Sequence, residues 1–263
     1  MVHSPTLITP QNRSFRYGDG VFETMKIFKN EIMLREFHFE RLFTSLLLLK
    51  ISGTEYTTKE RLHADVLQVC NLNNCKDSAR VRIAVYRENE NKAGVIIEAD
   101  PLDKKTNCLN EEGWSIDIYP SVRKSMDAFA NLKSANYLPY VLADLHAKEN
   151  GNDECLVLNC NNKIADASKA NIFLLLNDEV HTPALHQGCV NGVKRRFLIE
   201  QLERTGMPVH QHEISEELLT EAQEVFLTNA INDIRWVKSF RNKTYRNFWV
   251  KEFYQKTIAT IYS

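Results

Sequence analysis

The chain lacks the features that mark several common protein classes. None of its six cysteines stands in a CxxC pair, so the usual zinc and thioredoxin spacings are absent. No apolar run approaches the length of a bilayer span. The most hydrophobic stretch, "LLLLKI" at 46–51, reads as the end of an amphipathic helix. The opening "MVHSPTLITP" has neither the basic start nor the long apolar core of a secretory signal. Charge of one sign is also missing: the formal net charge is −1 and the basic residues form no block, which removes any electrostatic ground for nucleic-acid binding. There is no internal repeat and no low-complexity tract. The eight histidines are scattered; His210 and His212 flank one Gln and read as surface residues, so no metal ligand set is expected. Free thiols and no membrane span together lead us to expect a cytoplasmic protein.

What is present is the composition of a globular protein, 43% apolar, 25% charged and 10% aromatic, over 263 residues. That length suffices for two ordinary domains, each with a core. "GVFETMKIFKNEIML" (20–34) predicts a hairpin turning at Lys29-Asn30, followed by a helix over "REFHFERLFTSLLLLKI". "ARVRIAVYR" alternates charged and apolar residues as a half-buried strand does, and "AGVIIEA" and "WSIDIYP" add two more. "PSVRKSMDAFANL" (120–132) has no period and reads as a connector. In "NLKSANYLPYVLADLHAKENG" (131–151), Leu138, Val141, Leu142 and Leu145 recur at helical spacing and Asn150-Gly151 stops the run, which predicts an amphipathic helix beginning at Lys133. Strands follow at "ECLVLN", "NIFLLL", "EVHTP", "EVFLTN" and "IRWVKSF". Helices are predicted at "VKRRFLIEQLERTG" with Gly206 just past its end, at "EELLTEA" capped by Ser215, and at the close of the chain. The fold class is α+β in two domains: 1–121, a small α/β domain, and 122–263, a larger α/β domain carrying Lys133.

Five segments could carry chemistry. "YGDGVFETMK" (17–26) sets two glycines around an aspartate before a strand, which locally means a turn. "HFERL" (38–42) puts Arg41 on a helix, where a surface ion pair is the ordinary role and bidentate phosphate binding the special one. Lys133 has apolar flanks that permit the desolvation a Schiff-base lysine needs. "KIADASKANIFLLL" (163–176) places Asp166 just ahead of an apolar strand, either capping a turn or buried with a cationic partner. "GCVNGVKRR" (188–196) is a glycine followed by a helix start, whose exposed N–H groups suit a phosphate, and it pairs with the strand end "FLTNAI" (226–231).

Taken in order, YGDGVFET, HxxRL, a lysine, an acid five residues before NIF, TP, NG[V]xR and TNA resemble, over roughly residues 10–240, the fold-type IV pyridoxal-phosphate enzymes. These are the class IV aminotransferases, a family of branched-chain and D-amino acid aminotransferases and aminodeoxychorismate lyases. The resemblance implies a site between two domains in a homodimer, with pyridoxal 5′-phosphate as cofactor and a small amine as substrate. It implies that Lys133 binds the cofactor aldehyde and Arg41 its phosphate, with Val193 and Lys194 as the backbone turn at that phosphate and Asn229 and Ala230 as a second loop. Tyr137 falls near the family's tyrosine, one residue closer to the lysine than in branched-chain enzymes. Asp166 stands where the family usually has Glu, the partner of the pyridine nitrogen, and is one methylene shorter. Tyr17, Arg87 and Lys92 are the implied substrate-side residues.

For the reaction, the resemblance leans towards a lyase that releases pyruvate and 4-aminobenzoate from aminodeoxychorismate, a step of folate biosynthesis. "VNGVKR" looks like the lyase V-N-G-x-x-R, and Thr24 falls where lyases carry a threonine assisting proton transfer. Transamination is the alternative: Glu23 is more typical of transaminases, and "YRENENKAG" lacks the Gly-rich arginine loop. A pyridoxal-phosphate-binding relative without catalysis is a third reading.

Overall fold

The computed structural model describes residues 8–53, 57–89 and 92–262. The chain divides into two compact units, Met1–Lys104 with Leu132–Tyr137, and Lys105–Asn131 with Leu138–Ser263.

The first unit begins with a short helix, α1 (Arg13–Tyr17), and the strand β1 (Gly20–Phe28). Lys29 and Asn30 both adopt positive φ, as a two-residue hairpin turn requires, and β2 (Glu31–Ile32) returns along β1. Helices α2 (Arg35–Leu48) and α3 (Lys59–Leu72) precede the long hairpin β3 (Ser78–Asn89) and β4 (Lys92–Pro101). The sheet order is β2-β1-β3-β4. Val21, Met25 and Ile27 share one face of β1 and pack with Phe39, Leu42 and Leu46 of α2 and Leu62 and Val66 of α3. The helix α3 has no counterpart among the sequence expectations.

The division differs from a single cut after residue 121, and Lys133 belongs to the first unit. The Phe22 N–H donates to the Lys133 carbonyl (3.0 Å) and the Ala135 N–H to the Gly20 carbonyl (2.9 Å), so 133–135 adds to the edge of β1 that β3 leaves open.

The second unit is built on a nine-stranded sheet: β5 (Trp114–Lys124), β6 (Glu154–Asn159), β7 (Ile164–Ala167), β8 (Asn171–Leu176), β9 (Glu179–Pro183), β10 (Val209–His212), β11 (Glu224–Asn229), β12 (Asp233–Phe240) and β13 (Lys243–Thr244). Its order is β10-β9-β8-β11-β12-β5-β6-β7, with β13 beside β12. "NIFLLL" is apolar throughout because both faces of β8 are buried. Ile172 and Leu174 join one core cluster, while Phe173 and Leu175 join the other, with Phe173 stacked on its cross-strand partner Phe226. Helices α4 (Leu138–Glu149), α5 (Val193–Arg204), α6 (Glu216–Glu221) and α7 (Phe248–Phe253) complete the unit. Gly206 has φ +76° just beyond α5, and the Ser215 hydroxyl caps α6.

Two expectations fail here. Residues 120–124 of the supposed connector are the last part of β5, whose register places Lys124 opposite Asn159. Helix α4 starts five residues after Lys133, and it buries Tyr140, Ala143 and Ala147 rather than its leucines. The small residues let the helix lie close on the sheet, which leaves Leu138, Val141 and Leu145 at 65, 46 and 46% exposure.

Candidate active site

In the first unit the chemistry gathers on the two faces of β1. On the helix-covered face, Glu23 is fully buried and is held by α2. Arg41 donates from Nε (2.8 Å) and from Nη2 (2.6 Å), and His38 Nδ1 lies 2.6 Å away. One turn of α2 separates His38 from Arg41, so a single carboxylate meets both. Burial pushes Glu23 up, but the Arg41 charge and the hydrogen bonds from His38 and Arg41 outweigh it and hold the carboxyl down to about 2. Burial, aided by the nearby Arg41 and Lys133 charges, keeps His38 below the usual histidine range although Glu23 opposes it. An ionised carboxylate only accepts, so Nδ1 carries the proton and donates. His38 Nε2 then presents a lone pair, and among the described residues it is buried without a hydrogen-bond partner.

On the other face, Phe22 and Thr24 point away from the helices. Lys133 Nζ lies 4.6 Å from the Phe22 ring centre and 5.4 Å from that of Tyr137, and the two rings meet edge to face at 5.2 Å. Two aromatic faces around a half-buried amine limit its hydration and attract it as a cation. Arg82, directly opposite Thr24 on β3, lays its guanidinium 4.7 Å from the same Phe22 ring. Arg41 is among the candidates, whereas its partners Glu23 and His38, and Arg82, are not. The period of β1 and β3, which puts Thr24, Phe22 and Arg82 on one face, is the signal that would have found Arg82.

The substrate-side candidates lie apart from this amine in their bonding. Arg87 donates Nε to Asp19 (2.9 Å) and its two terminal nitrogens to the carbonyls of Lys50 (2.6 Å) and Leu49 (2.7 Å). Burial pushes Asp19 up, yet Arg13 and Arg87 hold it below the usual carboxylate range. Lys92 pairs with Glu88 at 2.8 Å with its side chain 66% exposed. Tyr17 ends α1 on the surface, under the Arg13 guanidinium.

In the second unit Asp166, 2% exposed on β7, is a hub. Its Oδ2 accepts from Tyr140 Oη (2.7 Å), Lys124 Nζ (2.9 Å) and the Val190 N–H (3.0 Å), and its Oδ1 from Asn171 Nδ2 (2.9 Å). Of the two readings of Asp166, the buried carboxylate with a cationic partner is therefore the observed one. A carboxylate has about four acceptor directions, so a ring N–H meeting this one would share an oxygen with a donor already present. Lys124 and Tyr140 were missed because one lay in the supposed connector and the other on a face assigned to solvent.

Helix α5 opens at Gly192 with no side-chain cap, leaving the N–H groups of its first turn for another acceptor. A Cβ on Gly192 would fall 1.9 Å from Asn171 Oδ1, so the glycine makes room for the carboxamide that holds Asp166. Val193 and Lys194 lie in this first turn. The Lys194 ammonium is buried and ion-paired with Asp233, at the start of β12, so only its backbone remains at the helix end. Asn229 ends β11 and Ala230 opens the turn to β12. The Asn229 Oδ1 accepts from the N–H groups of Ile231 (3.0 Å) and Asn232 (2.8 Å). The Lys194–Asp233 pair thus ties the α5 turn to this loop.

Each unit offers donors of a kind that a phosphorylated aromatic aldehyde takes: in the first a lysine between aromatic rings, and in the second an uncapped helix start and a buried carboxylate. Comparison with known proteins agrees. The chain is 29% identical over 248 residues to the aminodeoxychorismate lyase of Bacillus subtilis, covering 89% of this chain and 82% of that one. It is 25% identical to the D-alanine aminotransferase of Listeria innocua, over 85% and 79% of the two chains. The structure superimposes with a TM-score of 0.84 on the branched-chain aminotransferase of the archaeon Thermoproteus uzoniensis, at 26% identity and covering 98% and 89%. The profile of the amino-transferase class IV family matches residues 20–240. The chain is thus a fold-type IV enzyme of the class IV aminotransferase family, whose members depend on pyridoxal phosphate.

Proposed function

We propose that this enzyme is a 4-amino-4-deoxychorismate lyase. The observation that carries the reading is the position of Thr24, two residues along β1 from the Phe22 ring that lies against Lys133 Nζ. A hydroxyl on the face of the proton-carrying amine suits a reaction that must both remove and deliver a proton. Lys133 takes the proton from the ring carbon that bears the substrate amine. Thr24 passes a proton towards the departing enolpyruvyl group, which leaves as pyruvate while the ring becomes aromatic. The bound cofactor would supply the electron sink for this chemistry. Arg41, the first turn of α5 and the 229–230 loop would hold its phosphate, with Asp166 at its ring nitrogen and Tyr137 beside it. Since the donors of Arg87 are committed to Asp19 and two carbonyls, the reading assigns a substrate carboxylate to Arg82, which would give up its 3.3 Å contact with Glu98.

The similarity to the Bacillus subtilis lyase supports this assignment. Glu23, bound by Arg41 and His38, and the similarity to a D-alanine aminotransferase favour transamination as the second reading. The exposed Leu138, Val141 and Leu145 stripe supports a homodimer, and six unpaired cysteines support a reducing, cytoplasmic setting. Among the described residues, no helix is long and apolar enough to cross a membrane.

The test is to incubate the cofactor-loaded protein with aminodeoxychorismate and no keto acid, following 4-aminobenzoate by fluorescence with Lys133→Ala as control. Many turnovers that vanish in the variant are expected, because elimination needs no acceptor. A transaminase would give no 4-aminobenzoate and would exchange amino groups between amino and keto acids.

A further inference from the structure

The outer edge of the large sheet carries a group of side chains that the reaction does not use. Strand β10 is the edge strand and runs parallel to β9, with Val209 opposite Val180, His210 opposite His181 and Gln211 opposite Thr182. Val180 and Thr182 turn inward and are fully buried. Alternation therefore puts Glu179 and His181 of β9, with His210 and His212 of β10, together on the outer face.

The four are in contact. The rings of His181 and His210 stack with centres 4.8 Å apart, and that of His212 meets His181 edge-on at 5.1 Å. Glu179 Oε2 lies 2.8 Å from His210 Nε2, and His181 Nδ1 lies 2.9 Å from His212 Nε2. One ligand atom each from Glu179, His181 and His210 fall within 4.8 Å of one another. Tetrahedral zinc with bonds of about 2.1 Å needs its ligand atoms about 3.4 Å apart. The side chains of Glu179 and His210 are 45 and 46% exposed, so both can make the small rotation that closes the set.

We propose that Glu179, His181 and His210 form a surface site for one divalent transition-metal ion of the zinc class, with His212 positioning His181 through its ring nitrogen. Two imidazoles and a carboxylate are the ligand types such ions prefer, and a histidine ligand commonly uses its second nitrogen on a neighbour that fixes its orientation. The site joins two strands of which one is a four-residue edge, so the ion would clamp β10 onto β9 from the outer face. Arg195 in the first turn of α5 bridges the same two strands from the opposite face, donating to both the Pro183 carbonyl (2.8 Å) and Gln211 Oε1 (2.9 Å).

The experiment uses the full-length, cofactor-loaded protein prepared without a histidine tag, stripped with a chelator and titrated with zinc chloride against a chromophoric competitor. One zinc per chain is expected. His181→Ala and His210→Ala should each abolish that equivalent, and His212→Ala should weaken it about 10–100-fold, as loss of an orienting partner does. His210 is exposed, so its substitution should leave circular dichroism and cofactor absorbance unchanged. Replacing the exposed Cys108 and Cys160 by Ser should not alter the stoichiometry. X-ray absorption at the zinc edge should show nitrogen and oxygen ligands. Zinc binding that persists in both histidine variants, a sulfur shell, or no bound zinc would each overturn the proposal.

Discussion

Replacing Arg41 by Met would test the buried group at the heart of the first unit. Glu23 is fully buried and accepts three contacts of 2.6–2.8 Å, two of them from Arg41. Without Arg41 the carboxylate keeps only a neutral imidazole, and stranding one member of a buried ion pair costs about 3–5 kcal/mol. Proton linkage gives a second estimate. A carboxyl held at about 2 rather than its ordinary 4.5 is worth ~3 kcal/mol at ~1.4 kcal/mol per pH unit. Because the folded value is the lower one, that stability is complete above pH 4.5 and is lost as pH falls towards 2. The two routes agree in size. Urea midpoints of cofactor-free protein should therefore show Arg41→Met about 3 kcal/mol less stable than wild type at pH 7. The gap should narrow as the pH is lowered through 4 and 3, and Glu23→Gln in the same chain should restore most of the loss. A cost below about 1 kcal/mol at pH 7, or a gap that does not change with pH, would mean that Glu23 is not the buried anion described and would refute the argument.

Two further outcomes follow from the second unit. Lys124→Met leaves Asp166 with Tyr140, Asn171 and the Val190 N–H. Three neutral donors soften the loss of the cation, so destabilisation should sit near the lower end of the buried-pair range, about 3 kcal/mol. Asp166→Asn in that background should recover part of it, while additive losses in the double-mutant cycle would show that the two groups are uncoupled. Gly192→Ala forces the Asn171 carboxamide aside, giving up its 2.9 Å bonds to Asp166 and to the Val190 carbonyl. Spectroscopic titration should show cofactor affinity falling at least ~10-fold, since each buried group left unpaired costs about 1–3 kcal/mol. Unchanged affinity would mean that the turn before α5 tolerates the methyl group and does not meet the phosphate.

Much of this protein was legible from local pattern, because the relevant physics is local. The Lys29-Asn30 hairpin, the α2 helix with His38 and Arg41 one turn apart, the uncapped start of α5 after Gly192 and the continuous apolar run of β8 each follow from backbone preference and period. The order of its short motifs pointed to the family without any fold in hand. Contacts between distant segments were decided only by tertiary structure. Glu23 and Arg41 are both in quoted motifs, but their pairing depends on how α2 lies across β1. Lys124 becomes the cation of Asp166 because β5 runs further than its periodicity suggested, and Tyr140 reaches the same carboxylate because the alanines of α4, not its leucines, face the sheet. Lys133 joins the first unit through two backbone hydrogen bonds, which carry no side-chain signal. The Glu179, His181 and His210 group shows the same limit. The 25 residues from 184 to 208 separate its two strands in sequence, and only their parallel register brings three unremarkable side chains to one face.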